Sequence, residues 1–142
     1  MQKLITDLQK ENMTMDCLYS RFETMGIICG GALGSLIGAG REWYCSLTDK
    51  YFYYFKIKNL FSYKGIKKET IKMIALYDIE RIIWKPKTFQ GVFTIEYKDG
   101  KISGNLSGNE EEKSNFKKML KFMKEQLNIK IDGYFYQKET KI

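Results

Sequence analysis

The stretch from Trp43 to Lys58 constrains the fold of this chain more than any other. It reads Trp-Tyr-Cys-Ser-Leu-Thr-Asp-Lys-Tyr-Phe-Tyr-Tyr-Phe-Lys-Ile-Lys, two aromatic-rich runs meeting at Thr48-Asp49-Lys50. Aromatic and β-branched side chains fit strands, and a polar interruption of this kind suits a reversal. In the second run Tyr51, Tyr53, Phe55 and Ile57 alternate with Phe52, Tyr54, Lys56 and Lys58. Successive strand side chains point to opposite faces. The first set is expected in the core, and the second is expected to reach solvent where it turns basic.

The same period of two continues downstream. Residues 59–69 hold Gly65 and several polar side chains and read as a loop, after which 71–76 reads as a third strand. Asp78 marks a corner, Ile79–Trp84 a fourth strand, and the segment ending at Tyr97 a fifth. Asp99-Gly100 is the strongest hairpin signal, because a type I′ turn requires positive φ at its central residues. Ile102, Gly104 and Leu106 then share one face of a returning strand. The period next changes to 3.6. Asn109 with Glu112 forms a capping box, and Phe116, Met119, Leu120, Met123 and Leu127 form one apolar stripe. Residues 128–142 read as a tail or an edge strand.

Upstream of the strands the pattern differs. Residues 3–25 read as helical, with Leu18, Phe22 and Met25 at i, i+4 and i+7 and with Thr14 or Asp16 able to cap a second piece. Gly26–Gly40 carries no charge and six glycines. Gly26, Gly30, Gly34 and Gly38 are spaced by four, which on a helix makes a smooth face that another backbone can approach. Three readings stand: a helix packed on the strands or on a second protomer, a glycine loop, and a membrane-inserted helix. Fifteen residues are short against the roughly 20 needed to span a bilayer.

Composition narrows the chemistry. The chain has no histidine, the commonest general acid–base and neutral metal ligand. Cys17, Cys29 and Cys45 are odd in number and widely spaced, which fits buried thiols in a reducing compartment and no zinc motif. The acidic run Glu110-Glu111-Glu112 is explained by the helix dipole, and the glycine run lacks the Lys-Ser/Thr ending of a phosphate-binding loop. An enzyme is therefore not expected, nor any cofactor or metal. No secretory signal is read, and a cytoplasmic location, peripheral to a membrane in one reading, is expected.

Charge singles out one region. Residues 41–87 carry eleven basic and five acidic side chains, a net of +6 out of +7 for the whole chain. Lys50, Lys56, Lys58, Lys64, Lys67, Lys68 and Lys72 stand against Glu69 and are interleaved with aromatics, so they are the candidate ligand-binding residues. Near an anionic bilayer each lysine contributes about 1 kcal/mol. With arginine only at 21, 41 and 81, sequence-specific nucleic-acid readout is disfavoured.

Three passages carry a family resemblance: Tyr44–Tyr54, Leu76–Trp84, and Phe93–Lys101 followed by the Asn109 helix. In their order and spacing they resemble the bacterial pleckstrin-homology-like family over about residues 41–127. The resemblance implies an α+β fold, a partly open β-barrel of six to seven antiparallel strands capped by a C-terminal α-helix. Residues 1–40 form a helical and Gly-rich N-terminal extension outside it. It also implies non-enzymatic binding of lipids, peptides or further copies of the chain. Lys50, Lys56 and Lys58 supply part of the basic cluster of lipid-reading members, without its arginine. The leading expectation is a module acting through protein contacts or self-association, with Gly26, Gly30, Gly34 and Gly38 as the interaction face. The alternative is attachment to an anionic membrane through residues 50–72 and 26–40, and a third reading is nonspecific nucleic-acid binding.

Overall fold

The computed structural model describes residues 2–29, 42–59, 61–86 and 91–133. Their elements run α1 (Gln2–Lys10), β1 (Tyr19–Cys29), β2 (Glu42–Leu47), β3 (Tyr51–Asn59), β4 (Tyr63–Ala75), β5 (Ile79–Pro86), β6 (Gly91–Tyr97), β7 (Gly100–Leu106), α2 (Glu110–Leu127) and β8 (Ile131–Gly133). A 3₁₀ turn at Leu76–Asp78 makes the corner between β4 and β5. The fold is α+β. The eight strands form one sheet in the order β4-β3-β2-β1-β7-β6-β5-β8, antiparallel except for the β5–β8 pair, and the sheet does not close on itself. This arrangement is compatible with a partly open barrel.

The two faces bury different cores. One holds Phe22, Trp43, Cys45, Phe52, Tyr54, Trp84, Phe93, Ile95 and Ile102, and α2 covers it with Phe116, Met119, Leu120 and Met123. All four of these helix side chains are fully buried, each contributing roughly 1.5–3 kcal/mol of transfer free energy before entropy is set against it. The capping box forms as the sequence suggests. Asn109 accepts from the Glu112 N–H, and Glu112 accepts from the Asn109 N–H. The other face carries a smaller core, in which Leu4 and Leu8 of α1 pack on Tyr19, Tyr44, Phe55 and Ile66.

Four expectations are corrected. The helical reading of residues 3–25 holds only for α1, because Tyr19–Cys29 is a strand hydrogen-bonded to β2 on one side and β7 on the other. It lies inside the sheet and not in an N-terminal helical extension. Gly26 accordingly sits in β1 opposite Ser103, not on a helical glycine face; Gly30, Gly34 and Gly38 lie outside the described residues. Second, β4 begins at Tyr63, so most of the expected loop 59–69 is strand. Its polar composition is that of a sheet edge, where lysines discourage pairing with other chains. Third, Phe52 and Tyr54, not the set containing Tyr51 and Tyr53, enter the main core. Phe55, with Tyr53 and Ile57 on the same face of β3, packs on the α1 side instead. Fourth, the β6–β7 turn is centred on Lys98-Asp99, one residue earlier than expected, and neither residue has positive φ.

Other readings hold. Thr48 closes the β2–β3 hairpin, its N–H donating to Tyr51 O and its hydroxyl accepting from the Lys50 and Tyr51 N–H groups. Ile102, Gly104 and Leu106 share the buried face of β7. Of the tail, Ile131–Gly133 is an edge strand beside β5.

Candidate interaction surface

The seven candidate lysines all belong to the β2–β3 turn and the β3–β4 hairpin, but they do not form one patch. Lys64 and Lys68 are on the α1 side. Lys64 lines a hollow with Lys3, Asp7 and Lys10, and Lys68 pairs with Glu11 at 3.1 Å. Lys58 lines a neighbouring hollow that also contains Asp7 and Glu11. Lys56 lies 4.9 Å over the Trp43 ring, a cation–π contact. Lys67 is opposite Lys56 in the ladder and Lys72 is opposite Tyr54. Lys50 stands at the hairpin turn, at the far end of β3. Asp7 of α1 and Glu11 just after it, invisible as neighbours in the sequence, thus offset part of the positive charge.

Three features escape the sequence reading. The first is an apolar cleft of about 250 Å³ lined by Asp49, Lys50, Tyr51, Leu76, Tyr77 and Leu127. Tyr77 is 87% exposed and Leu127 37% exposed, although both are large apolar side chains. The apolar surface continues along the sheet: the Tyr51 ring is 5.9 Å from Tyr53, and Tyr53 lies opposite Met73, which is 52% exposed. No local signal announces this cleft, because a turn, a strand end and a helix end build it jointly.

The second is the edge of β4, thirteen residues long, last in the strand order and with no strand on its outer side among the described residues. The Leu76 N–H donates to Lys50 O at 2.9 Å. Antiparallel ladders alternate between inward-bonded and outward-facing residues. Ile74 and Lys72 therefore bond to β3, while the N–H and C=O groups of Met73 and Ala75 face away from the sheet.

The third is a polar cleft of about 300 Å³ lined in part by Tyr19, Arg21, Tyr44, Tyr63 and Glu112. Arg21 donates through Nε and Nη2 to the two oxygens of Glu112 at 2.8 and 2.7 Å and lies 5.8 Å over the Tyr44 ring. That bidentate hydrogen bond raises the pKa of Arg21 further above its ordinary value. Burial raises the phenol pKa of Tyr19 and of Tyr44. Tyr63 donates to Asp7 at 2.6 Å, tying the hairpin to α1. With its arginine and buried carboxylate satisfied by each other, this cleft is a structural clamp between β1 and α2.

Reactive groups are scarce. Burial pushes the Cys45 thiol far above its ordinary pKa, which suppresses the thiolate a nucleophile needs. Among the described residues, no group of three acidic, cysteine or histidine side chains is placed to hold a metal ion, and no helix is long and apolar enough to cross a membrane. No family model matches the chain, and no curated protein matches it.

Proposed function

We propose that this chain is a non-enzymatic binding module of bacterial pleckstrin-homology-like type, acting through contacts with another protein. The fold assignment is supported by the strand order β4-β3-β2-β1-β7-β6-β5 followed by a helix that covers the core. In this reading β1 supplies the first strand of the barrel. The observation that carries the function is the cleft beside the β4 edge, where Tyr77 and Leu127 remain in solvent. Single exposed apolar residues are ordinary, but several lining one concavity beside a sheet edge mark an interaction site.

Photo-crosslinking tests it. A benzoyl-phenylalanine placed at Tyr77 in the full chain is expected to give a discrete protein adduct in native cells. The same group at Lys117, on the exposed side of α2, is the control. Identical adduct patterns from the two positions, or no protein adduct from Tyr77, refutes the reading.

One observation favours a second reading, attachment to an anionic membrane. Phe61 is 99% exposed at the β3–β4 connection, between Lys58 and Lys64. Strand directions bring this connection to the same end of the sheet as the last residues of β1 and the first of β2, since β1 and β3 run the same way. An aromatic residue flanked by lysines suits a bilayer interface. Salt-sensitive sedimentation with phosphatidylserine vesicles, lost in Phe61→Asp, is the expected sign. Wild-type binding that ignores salt, or no binding, counts against it.

A further inference from the structure

We propose that the free edge of β4 takes up an acidic, extended segment of the partner protein as an additional strand, with an apolar residue of that segment seated in the Tyr51–Tyr77–Leu127 cleft. The inference rests on the protein-contact reading above and specifies its chemistry. Three observations lead to it. The outward N–H and C=O groups of Met73 and Ala75 have no strand beside them among the described residues, and an exposed edge of this kind is a template for strand addition. The cleft opens where β4 ends, within reach of a strand laid along that edge.

Charge selects the occupant. With Lys68 set against Glu11 and Lys64 in the hollow with Asp7, the edge and its cleft present Lys50, Lys67 and Lys72 against Asp49 and Glu69. A second copy of β4 is a poor occupant. The antiparallel register that brings Lys67 beside the copy's Lys72 does so twice by symmetry, and such pairs oppose association; any register sets one strand of four lysines and one glutamate beside another of the same net sign. A strand alternating carboxylates with apolar residues reverses both signs. Its acids would meet the lysines, and its main chain would complete the ladder.

Backbone geometry supplies a clean test. Ala75 has φ −64°, the angle at which proline is fixed, and its N–H faces away from β3. Ala75→Pro therefore fits the folded chain but removes an edge donor and places a ring where the added strand must lie. The probe is a pool of acetylated decapeptides in which glutamate alternates with randomised apolar residues, with a matched pool carrying lysine instead. Peptides captured by the immobilised full chain are quantified by mass spectrometry.

Wild type is expected to enrich the glutamate pool at least tenfold over the lysine pool. Ala75→Pro should abolish that enrichment at unchanged melting temperature, and Lys67→Glu/Lys72→Glu should invert the preference. Failure to enrich, or enrichment that survives Ala75→Pro, overturns the edge. Phosphatidylserine vesicles that displace the glutamate pool equally from wild type and Ala75→Pro reveal a surface read by charge alone, and overturn it too. If the Tyr77 adduct persists while Ala75→Pro changes nothing, the protein-contact reading stands and only the strand addition falls.

Discussion

The Arg21–Glu112 clamp offers the most direct check of how this fold is held together. Glu112 is 3% exposed and Arg21 30% exposed at the side chain, and they meet through two charged hydrogen bonds. Removing one partner of a fully buried pair costs about 3–5 kcal/mol, chiefly because the other charge is left uncompensated. Here water reaches Arg21, and Glu112 keeps the Asn109 N–H, so Arg21→Met is expected to cost about 2–4 kcal/mol. With a urea m-value of ~2 kcal/mol/M, the midpoint falls by roughly 1–2 M. The informative variant is the double one. Glutamine at 112 still serves the capping box but carries no charge to strand, so Arg21→Met/Glu112→Gln should recover about 1–2 kcal/mol relative to Arg21→Met alone. Trp43 and Trp84, both buried, report unfolding by fluorescence. A double variant no more stable than Arg21→Met means that stranded charge is not what the clamp prevents, and refutes the reasoning.

Two further expectations follow from packing and titration. A Cβ built on Gly104 would lie 2.5 Å from Phe22 and 2.8 Å from Phe93, so Gly104→Ala should destabilise by about 1–3 kcal/mol through overpacking; a urea midpoint matching wild type would mean that the Phe22 and Phe93 rings do not pack on Gly104 as described. Burial raises the phenol pKa values of Tyr19 and Tyr44 above 10.0. Their folded state thus favours the protonated phenol, and the resulting stability is present below pH 10 and lost as pH rises through the folded values. Phenolate absorbance during an alkaline titration should show tyrosines ionising late and together with unfolding, and ten tyrosines titrating at the free value before any unfolding would contradict this.

How far the fold is legible depends on whether its cause is local. The helix α2 is written in adjacent residues, a cap at Asn109, acids in the first turn and an apolar stripe, and it forms where those residues place it. β1 is not written so plainly. Leu18 and Phe22, four residues apart, share a face on a strand as well as on a helix, and only the two flanking ladders with β2 and β7 decide the matter. β4 resembles a loop because its lysines and Gly65 answer to an edge, a property of the assembled sheet. The burial of β3 is misread because alternation defines two faces but not which one the larger core covers: Phe52 and Tyr54 meet the core under α2, while Tyr53, Phe55 and Ile57 meet the smaller one under α1.

The same distinction governs the candidate site. Seven lysines are visible in the sequence, but their meaning is set by what the fold places beside them. Glu11 offsets Lys68, Trp43 lies beneath Lys56, and Lys67 and Lys72 remain along a strand with an open edge. Lysines on such an edge have a structural reason to exist, since they keep the sheet from pairing with its own copies. That reason does not compete with a binding role. A row of positive charge that excludes like strands leaves the outward peptide groups of Met73 and Ala75 accessible to a strand of opposite sign. The cleft at Tyr77 adds what charge cannot, a fixed register for one apolar side chain. Specificity would then divide between the two: the lysines reject the wrong strand, and the cleft positions the right one.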